Sequence, residues 1–466
     1  MPVADVLRRF RIGRDVWNPF RRRSRAGGDV LGAFVRAFRT PDLRNKLLFT
    51  LFILTIFRLG SVIPAPGIDS AAIREQMETI TAADQSGVYA LVNLFSGGAL
   101  LQLAVFALGV MPYITASIII NLLTVVIPRL ESLKKEGQAG QSKITQYTRY
   151  LTLMLAVLQA TSIVAMARTG ALFQNAIPVS SYMPNQDILT LVTIVFTMTA
   201  GTAIIMWMGE LITERGVGNG MSLLIFTQVI AVFPSAIMGL YEERSVWIFT
   251  IICMAGLALI TAVVFMEQAQ RRIPVQYAKR MVGRRMYGGS STYIPLKVNQ
   301  AGIIPVIFAS SLLYLPQLIV GLLGQDSTHP VAQFFQTYFL TGTHPVYMAA
   351  FFVMIVGFAF FYVAITFNPT EVADNMKKYG GFIPGIRPGR PTAEYLDYVL
   401  TRLTTPGSLY LGVIALLPMV ALGATGADMN FPFGGTSILI MVGVGLDTVK
   451  QIESHLQQRN YEGFLR

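Results

Sequence analysis

The sequence predicts an all-α polytopic membrane protein with ten transmembrane helices, because its apolar content is high, its charge is sparse and its apolar runs are long. Of the 466 residues, 53% are hydrophobic and only 13% are charged, whereas soluble domains carry about 25% charged residues. A helix needs about 20 mostly apolar residues to cross a bilayer. Ten runs along the chain approach or exceed that length.

The ten runs account for most of the chain and leave two long connections between them. Their predicted bounds are residues 47–63, 104–127, 147–168, 186–208, 221–241, 246–266, 302–323, 346–366, 408–424 and 433–449. The first 46 residues are basic and lack a long apolar core, so we expect no cleavable signal peptide and insertion through the first span. Arg58 lies inside that first run, where its long side chain is expected to reach a membrane interface.

The distribution of positive charge predicts the orientation. All but four of the 37 Lys and Arg residues lie in the N-terminal region, in or beside the loops after the even-numbered spans, or in the C-terminal tail; the exceptions are Arg58, Arg74, Arg168 and Arg244. Basic residues concentrate on the cytoplasmic side of membrane proteins, so both termini are expected there. The basic run at 21–25 is expected to lie near anionic lipid headgroups, with a specific partner contact as the alternative.

An even division of the spans predicts two inverted halves. Five spans precede the connection at 241–246 and five follow it, and an odd-numbered unit that is repeated once must be inverted. Inverted repeats place a functional site between the halves, near the bilayer midplane. The predicted organisation is a basic cytoplasmic region at 1–46, a first half at 47–241, a second half at 246–449 and a cytoplasmic tail at 450–466.

One segment, 93–103, does not fit either a span or a solvated loop. It is too short and too glycine-rich to cross lipid, because Gly97 and Gly98 leave backbone groups poorly shielded there. Its Leu, Phe and Ala content is nevertheless too apolar for an exposed loop. Irregular backbone at membrane depth is tolerated only inside protein or along a water-filled cavity. The sequence therefore predicts that the chain encloses a cavity with this segment inside it.

The predicted spans lack the residues that most membrane chemistry needs. Spans 2 to 9 carry no ionisable residue in their cores, although ion-coupled transporters use such residues as relays. No phosphate-binding pattern G-x-x-x-x-G-K-[S/T] occurs. Cys253 is the only cysteine, the three histidines are far apart, and neither a metal site, a cofactor nor a catalytic cluster is predicted. A passive conduit, rather than an enzyme or an inverted-repeat secondary transporter, is the favoured interpretation.

The two long cytoplasmic connections, 267–301 and 368–402, are rich in arginine, glycine and proline. Tight turns at glycine and proline are expected to hold the arginines outward. Arginine binds phosphate and carboxylate groups through its planar guanidinium, so a docking surface for ribosomal RNA or for an acidic protein groove is expected. Ordinary cytoplasmic charge is the alternative.

Ten motifs in a fixed order resemble the SecY family, the central subunits of the bacterial protein-conducting channel. The resemblance covers about residues 40 to 455. It is carried by Phe57–Gly60, Ile63–Gly67, Asn93–Gly98, Met111–Ser117, Gln146–Tyr150, Gly209–Gly220, Pro295–Asn299, Asn368–Glu371, Pro384–Gly389 and Phe433–Ser437.

The resemblance implies an hourglass pore between the halves, through which unfolded polypeptides cross the membrane or leave sideways into lipid. Segment 93–103 resembles the plug, a half-helix that closes the outer funnel, with plug residues Asn93, Phe95, Ser96, Gly97, Gly98 and Leu100. The implied constriction ring consists of Val110, Ile114, Ile225, Ile307 and Ile440, where Val110 replaces the isoleucine common in the family. The implied lateral gate between spans 2–3 and 7–8 includes Ser117, Asn121 and Asn299; a purely structural polar contact is the alternative for these three.

The resemblance also implies the partners and the location. Five basic residues are the implied contacts for the ribosome or for the motor ATPase SecA: Lys279, Arg280, Arg284, Arg285 and Arg387. The small subunits SecE and SecG, signal peptides, nascent chains and anionic lipids are the other implied partners. The implied location is the bacterial cytoplasmic membrane.

Overall fold

The fold is built from long helices together with a few short strands between them. The chain's structure, a computed structural model, describes residues 38, 40–70, 72–73, 97–100, 102–170, 172, 177–243, 246–277, 280–282, 285–287, 291–323, 330–339, 344–425 and 435–462. In the first half, the described helices are α1 Pro41–Gly60, α2 Met111–Val126, α3 Pro128–Lys135, α4 Gln138–Arg168, α5 Val179–Tyr182, α6 Ile188–Arg215 and α7 Gly220–Glu243.

The second half contains seven more described helices and the strands. The helices are α8 Val246–Gln268, α9 Ile304–Leu323, α10 Pro330–Phe339, α11 Pro345–Thr366, α12 Pro369–Lys378, α13 Arg390–Thr425 and α14 Gly435–Glu462. The strands are β1 Gln270–Tyr277, β2 Arg280–Val282, β3 Arg285–Tyr287, β4 Ser291–Lys297 and β5 Gly381–Phe382.

Each of the ten predicted spans coincides with a helix: α1, α2, α4, α6, α7, α8, α9, α11, α13 and α14. Within the described residues, five helices are long and apolar enough to cross a membrane by length and composition, and a sixth results if α2 and α3, bent by 100°, are counted together. The predicted boundary between the halves falls between the end of α7 and the start of α8. The helical fold class is confirmed.

The second predicted span, 104–127, is wrong in its first part. Residues 105–110 form turns, and helix α2 begins only at Met111. Leu103 has φ of 45°, a left-handed conformation that a right-handed helix does not accommodate. Pro112 then lies in the first turn of α2, where a residue without a backbone N–H starts a helix at little cost.

Several helices extend beyond their predicted spans into polar sequence. Helix α4 begins nine residues before the predicted start at 147, and α14 continues to Glu462 instead of ending at 449. Helix α13 has 36 residues and contains Pro406 and Pro418, whereas hydropathy alone marked only 408–424. Apolar content locates the membrane crossing, but backbone hydrogen bonding continues past it wherever the polar residues favour a helix.

The two long connections, 267–301 and 368–402, contain paired strands as well as the turns expected at 384–389. Strands β1 and β4 pair antiparallel from Gln270↔Lys297 to Gln276↔Ser291. The short strand β5, from the second connection, pairs with the other edge of β1. Ile273 and Val275 of β1 are buried against residues of α11, α12 and α13. The connections therefore form one folded layer rather than two separate loops.

The two halves meet along α9 and α14. Helix α9 contacts α2 and α4 of the first half and α11 of the second, while α14 contacts α7 of the first half. One buried aliphatic cluster draws on helices from both sides of this junction. The junction is thus the place where a site shared by the halves can form.

Gly201 of α6 allows the turns at 105–110 to approach that helix closely. A Cβ atom at position 201 would lie 2.1 Å from the carbonyl oxygen of Val105 and 3.1 Å from the Phe106 ring. Helix α6 and the turns at 105–110 therefore pack backbone against backbone. The backbone at Val105 has to move to make room for a methyl group at position 201.

We expect Gly201→Ala to destabilise the purified protein by about 2 kcal/mol, because overpacking forces the backbone apart. The thermal unfolding midpoint in detergent measures this. The matched control is Gly357→Ala in α11, where a Cβ would meet no atom within 4 Å and where alanine favours the helix. Equal midpoints for the two variants would contradict the close packing.

A candidate pore between the two halves

The five predicted ring residues lie in one buried cluster. Their exposed fractions are 1% for Val110, 7% for Ile114, 5% for Ile225, 6% for Ile307 and 1% for Ile440. Val110 is the N-cap residue of α2, Ile114 lies one turn into it, and the other three belong to α7, α9 and α14. Two helices of each half therefore contribute to the same cluster.

This arrangement gives the cluster a defined chemistry. The five side chains carry neither a hydrogen-bond donor nor an acceptor. Packed together they exclude water, and a hydrophobic constriction can gate by dewetting. Aliphatic side chains hold a passing chain by dispersion alone, so the cluster can seal a pore without binding what passes through it.

The predicted plug is only partly within the described residues. Asn93, Phe95 and Ser96 lie outside them. Gly97, Gly98 and Leu100 lie within them and form turns, so the expected half-helix is wrong for this part of the segment. The φ angles of Gly97 and Gly98 are 65° and 85°. Glycine adopts such left-handed angles readily, and they fit a turn rather than a right-handed helix.

The turn segment, residues 97–100 and 102–110, is joined to the segment that follows α1. The amide of Ala65 donates to the Leu103 carbonyl at 3.0 Å, and the amide of Val105 donates to the Ile63 carbonyl at 2.9 Å. The side chain of Leu103 is fully buried and that of Leu100 is 3% exposed. Backbone groups that cannot reach water are thus satisfied by protein, as the membrane interior requires.

Residues 63–69 are themselves anchored to the C-terminal end of α4. The Asp69 amide donates to the Tyr182 carbonyl at 3.0 Å, and the Tyr182 hydroxyl donates to the Ala167 carbonyl. Burial of this hydroxyl raises the pKa of Tyr182 to about 12. The support under the turn segment is therefore fixed by α4 through a phenol that stays protonated at any physiological pH.

Arg58 contacts the turn segment, while its expected position at a membrane interface stays a prediction. Its Nη1 donates to the Gly97 carbonyl at 2.7 Å, and the residue is half-buried on α1. Sequence analysis marked both residues without connecting them, because they are far apart in the chain and no local pattern pairs them.

The predicted gate residues do not form one group. Ser117 and Asn121 lie one turn apart on α2, with 3.5 Å between Asn121 Nδ2 and Ser117 Oγ. Asn299 donates instead to Glu267 Oε2 of α8 at 2.9 Å and to the Gly302 carbonyl at 3.2 Å. Its hydrogen bonds lie within the second half. The seam itself is closed, since α9 contacts both α2 and α4.

An ion pair that sequence analysis missed links α4 to α6. Arg149 Nε donates to Glu210 Oε1 at 2.8 Å, and Arg149 Nη2 donates to Glu210 Oε2 at 2.7 Å. The side chains are 46% and 21% exposed. One arginine and one glutamate, each near the cytoplasmic end of a mostly apolar run, were the available signal for this pair.

The predicted docking residues are described unevenly. Arg387 is exposed in the turn before α13, and its carbonyl accepts a hydrogen bond from the Thr392 hydroxyl at 2.8 Å. Arg280 and Arg285 lie on the paired strands β2 and β3. Lys279 and Arg284 lie outside the described residues. In the described part of the chain, no group of three or more His, Cys, Asp or Glu side chains could hold a metal ion.

Comparison with known proteins points to one family. The SecY family model matches residues 104–449. The protein translocase subunit SecY of Streptomyces scabiei is 64% identical over 441 residues, which cover 94% of this chain and 100% of that protein. SecY of Mycobacterium bovis is 60% identical over 443 residues, with the same coverage of both chains.

Solved structures share the fold at low sequence identity. A protein-conducting channel matches with a TM-score of 0.59 and 18% identity, covering 88% of this chain and 91% of that one. Sec61 from a canine ribosome–channel complex matches with a TM-score of 0.54, 19% identity and the same coverage.

We expect the Arg149–Glu210 pair to stabilise the packing of α4 on α6 by about 1 kcal/mol, since bidentate charged hydrogen bonds exceed ordinary surface pairs but solvent screens part of the gain. A double-mutant cycle of Arg149→Gln and Glu210→Gln, read by thermal unfolding, measures the coupling. The control cycle uses the exposed pair Lys135–Glu131 on α3, where about 0.3–0.5 kcal/mol is expected. A coupling no larger than the control's would contradict this role.

Proposed function

The chain belongs to the SecY family, and from that membership we propose how its residues close and open the pore. It is a multi-pass protein of the bacterial membrane and the pore-forming subunit of the Sec translocon, a channel that passes unfolded polypeptides across the membrane and hydrophobic segments sideways into it. Family membership does not favour the secondary transporter that was the alternative.

The observation that carries the proposal is the shared aliphatic cluster. Val110, Ile114, Ile225, Ile307 and Ile440 act as the constriction ring, since helices of both halves bring them together in a buried group. A ring assembled from two halves widens when the halves separate slightly. Its aliphatic side chains then fit around an extended polypeptide and resist ions and water when it has passed.

The predicted plug, 93–103, of which residues 97–100 and 102–103 are described, closes the pore. Support comes from its burial at Leu100 and Leu103 and from its bonds to residues 63–65. It is held by hydrogen bonds and packing rather than by a continuous helix, so it can leave as a unit. A solved structure of a SecY relative, matching with a TM-score of 0.58, is described as one in which the plug domain stabilises the closed channel.

The seam of α9 against α2 and α4 acts as the lateral gate. Ser117 and Asn121 place polar groups on α2, and polar contacts between membrane helices contribute only about 0.6 kcal/mol each. Such a seam opens at modest cost when a hydrophobic signal segment replaces the contacts between helices. Asn299 contributes at the cytoplasmic end of α9, where it joins that end to Glu267 of α8.

The folded cytoplasmic layer acts as the docking surface, with both termini of the chain in the cytoplasm. Ribosome binding is supported by the relatives that were solved in ribosome complexes. We further propose that the motor SecA docks on the same layer, that SecE and SecG complete the channel, and that the basic residues contact anionic lipids. Arg387 projects from a turn beside β5, a fixed position suited to one defined contact.

We expect a photoreactive residue placed at position 114 or 307 to cross-link to a secretory chain stalled in the channel, because a ring residue touches whatever passes. Position 154 is the control: Met154 lies on α4 and is 70% exposed on the outside of the protein. Cross-links at 154 as strong as those at 114 and 307 would contradict the ring assignment.

We expect Arg387→Glu to reduce SecA-driven export into reconstituted vesicles by about tenfold or more, since a reversed charge at a docking contact costs several kcal/mol. The protein should still insert and remain stable. The control is Arg390→Glu, three residues further on and also exposed, where Arg390 pairs with Glu394. Unchanged export by the Arg387 variant would reject its docking role.

A further inference from the structure

Two polar side chains contact Gly97, and their own hydrogen-bonding groups are satisfied to different degrees. Arg58 of α1 donates to the Gly97 carbonyl at 2.7 Å. Gln228 of α7 packs against Gly97, because a Cβ atom at position 97 would lie 3.2 Å from Gln228 Cα and 3.3 Å from its Cβ and Cγ. Both residues therefore contact the same residue of the plug.

Gln228 is 1% exposed, yet neither its amide nitrogen nor its amide oxygen has a hydrogen-bond partner among the described residues. Gln102, in the turn segment itself, adds a second buried oxygen, Oε1, without a partner in the described part of the chain. A buried amide without partners disfavours the state in which it is buried. The closed plug is thus stabilised by one contact and destabilised by the other.

Gln228 lies one helical turn beyond the ring residue Ile225 on the same helix. When the plug leaves, the Gln228 amide faces the opened pore, where water or a passing peptide backbone can pair with it. The same movement separates Arg58 from the Gly97 carbonyl. Opening therefore breaks the charged hydrogen bond of Arg58 and allows the Gln228 amide to form hydrogen bonds.

We infer that Arg58 and Gln228 are positioning residues with opposite effects on the plug, and that their balance sets how hydrophobic a signal segment has to be to open the channel. This inference rests on the proposed function, since it takes Gly97 as part of the plug, 93–103. A signal segment opens the channel only if its preference for the open state exceeds the cost of opening. Shifting that cost shifts the weakest signal that is accepted.

The test compares export of a secretory protein into reconstituted vesicles with a series of signal segments in which leucines are replaced stepwise by alanines. With Arg58→Gln, export through weak signals and the resting ion leak should both rise, by about tenfold for the loss of a charged hydrogen bond. Gln228→Leu removes the unpaired amide and keeps a similar side-chain volume. With this variant, some weak signals that the unmodified protein accepts should no longer drive export. The double variant should return towards the unmodified threshold.

Controls separate these effects from general damage. Arg44→Gln removes an exposed positive charge from the same helix, and Thr227→Val removes a hydroxyl of α7 that bonds within its own helix to the Leu223 carbonyl. Neither should move the threshold. Arg58→Lys keeps the charge and should lie between the unmodified protein and Arg58→Gln.

The outcomes distinguish this inference from the proposed function. If Arg58→Gln leaves both leak and threshold unchanged, or if Gln228→Leu accepts weaker signals, the inference is overturned while the channel function stands. Poor folding would reduce export through every signal segment. The result predicted for Gln228→Leu differs from that, because export through strong signals stays normal and only weak signals lose activity. If the unmodified protein exports nothing in this assay, it is the proposed function that fails.

Discussion

Non-helical backbone inside a bilayer has to find its hydrogen-bond partners within the protein, and the turn segment imposes that demand on the whole first half. Residues 63–65 pair with Leu103 and Val105, and Arg58 satisfies the Gly97 carbonyl. Gly201 allows α6 to come close enough to close the other side. These neighbours supply the hydrogen bonds and close packing that lipid cannot supply.

In the proposed channel, the ring and the plug contribute differently to closing the pore, according to their chemistry. An aliphatic ring excludes water and has neither a hydrogen-bond donor nor an acceptor. It therefore does not select for any particular sequence in the passing chain. The turn segment closes through directional hydrogen bonds, and these can be broken together when the helices shift. One element therefore tolerates a passing chain, while the other sets how readily the pore opens.

The folded layer of strands depends on pairing between distant segments. The contact of β1 with β5 joins two connections that are separated in the chain by α9, α10 and α11. The buried side chains of Ile273 and Val275 tie that sheet to the helices below. A partner that pulls or pushes on this layer therefore acts directly on the ends of α11 and α13 rather than on free loops.

The sequence by itself determined the helical fold class and the number and approximate places of the spans, and it predicted the orientation, the two halves and an irregular segment at 93–103, because apolar length, charge and glycine content act locally. Residue types could not separate the five ring residues from the many other aliphatic residues in the spans; only the family resemblance indicated them. Tertiary structure alone decided that 105–110 are turns, that Arg149 pairs with Glu210, and that Arg58 and Gln228 meet at Gly97. Those contacts join residues far apart in the chain, and their energies arise from helix packing and burial, which no local pattern records.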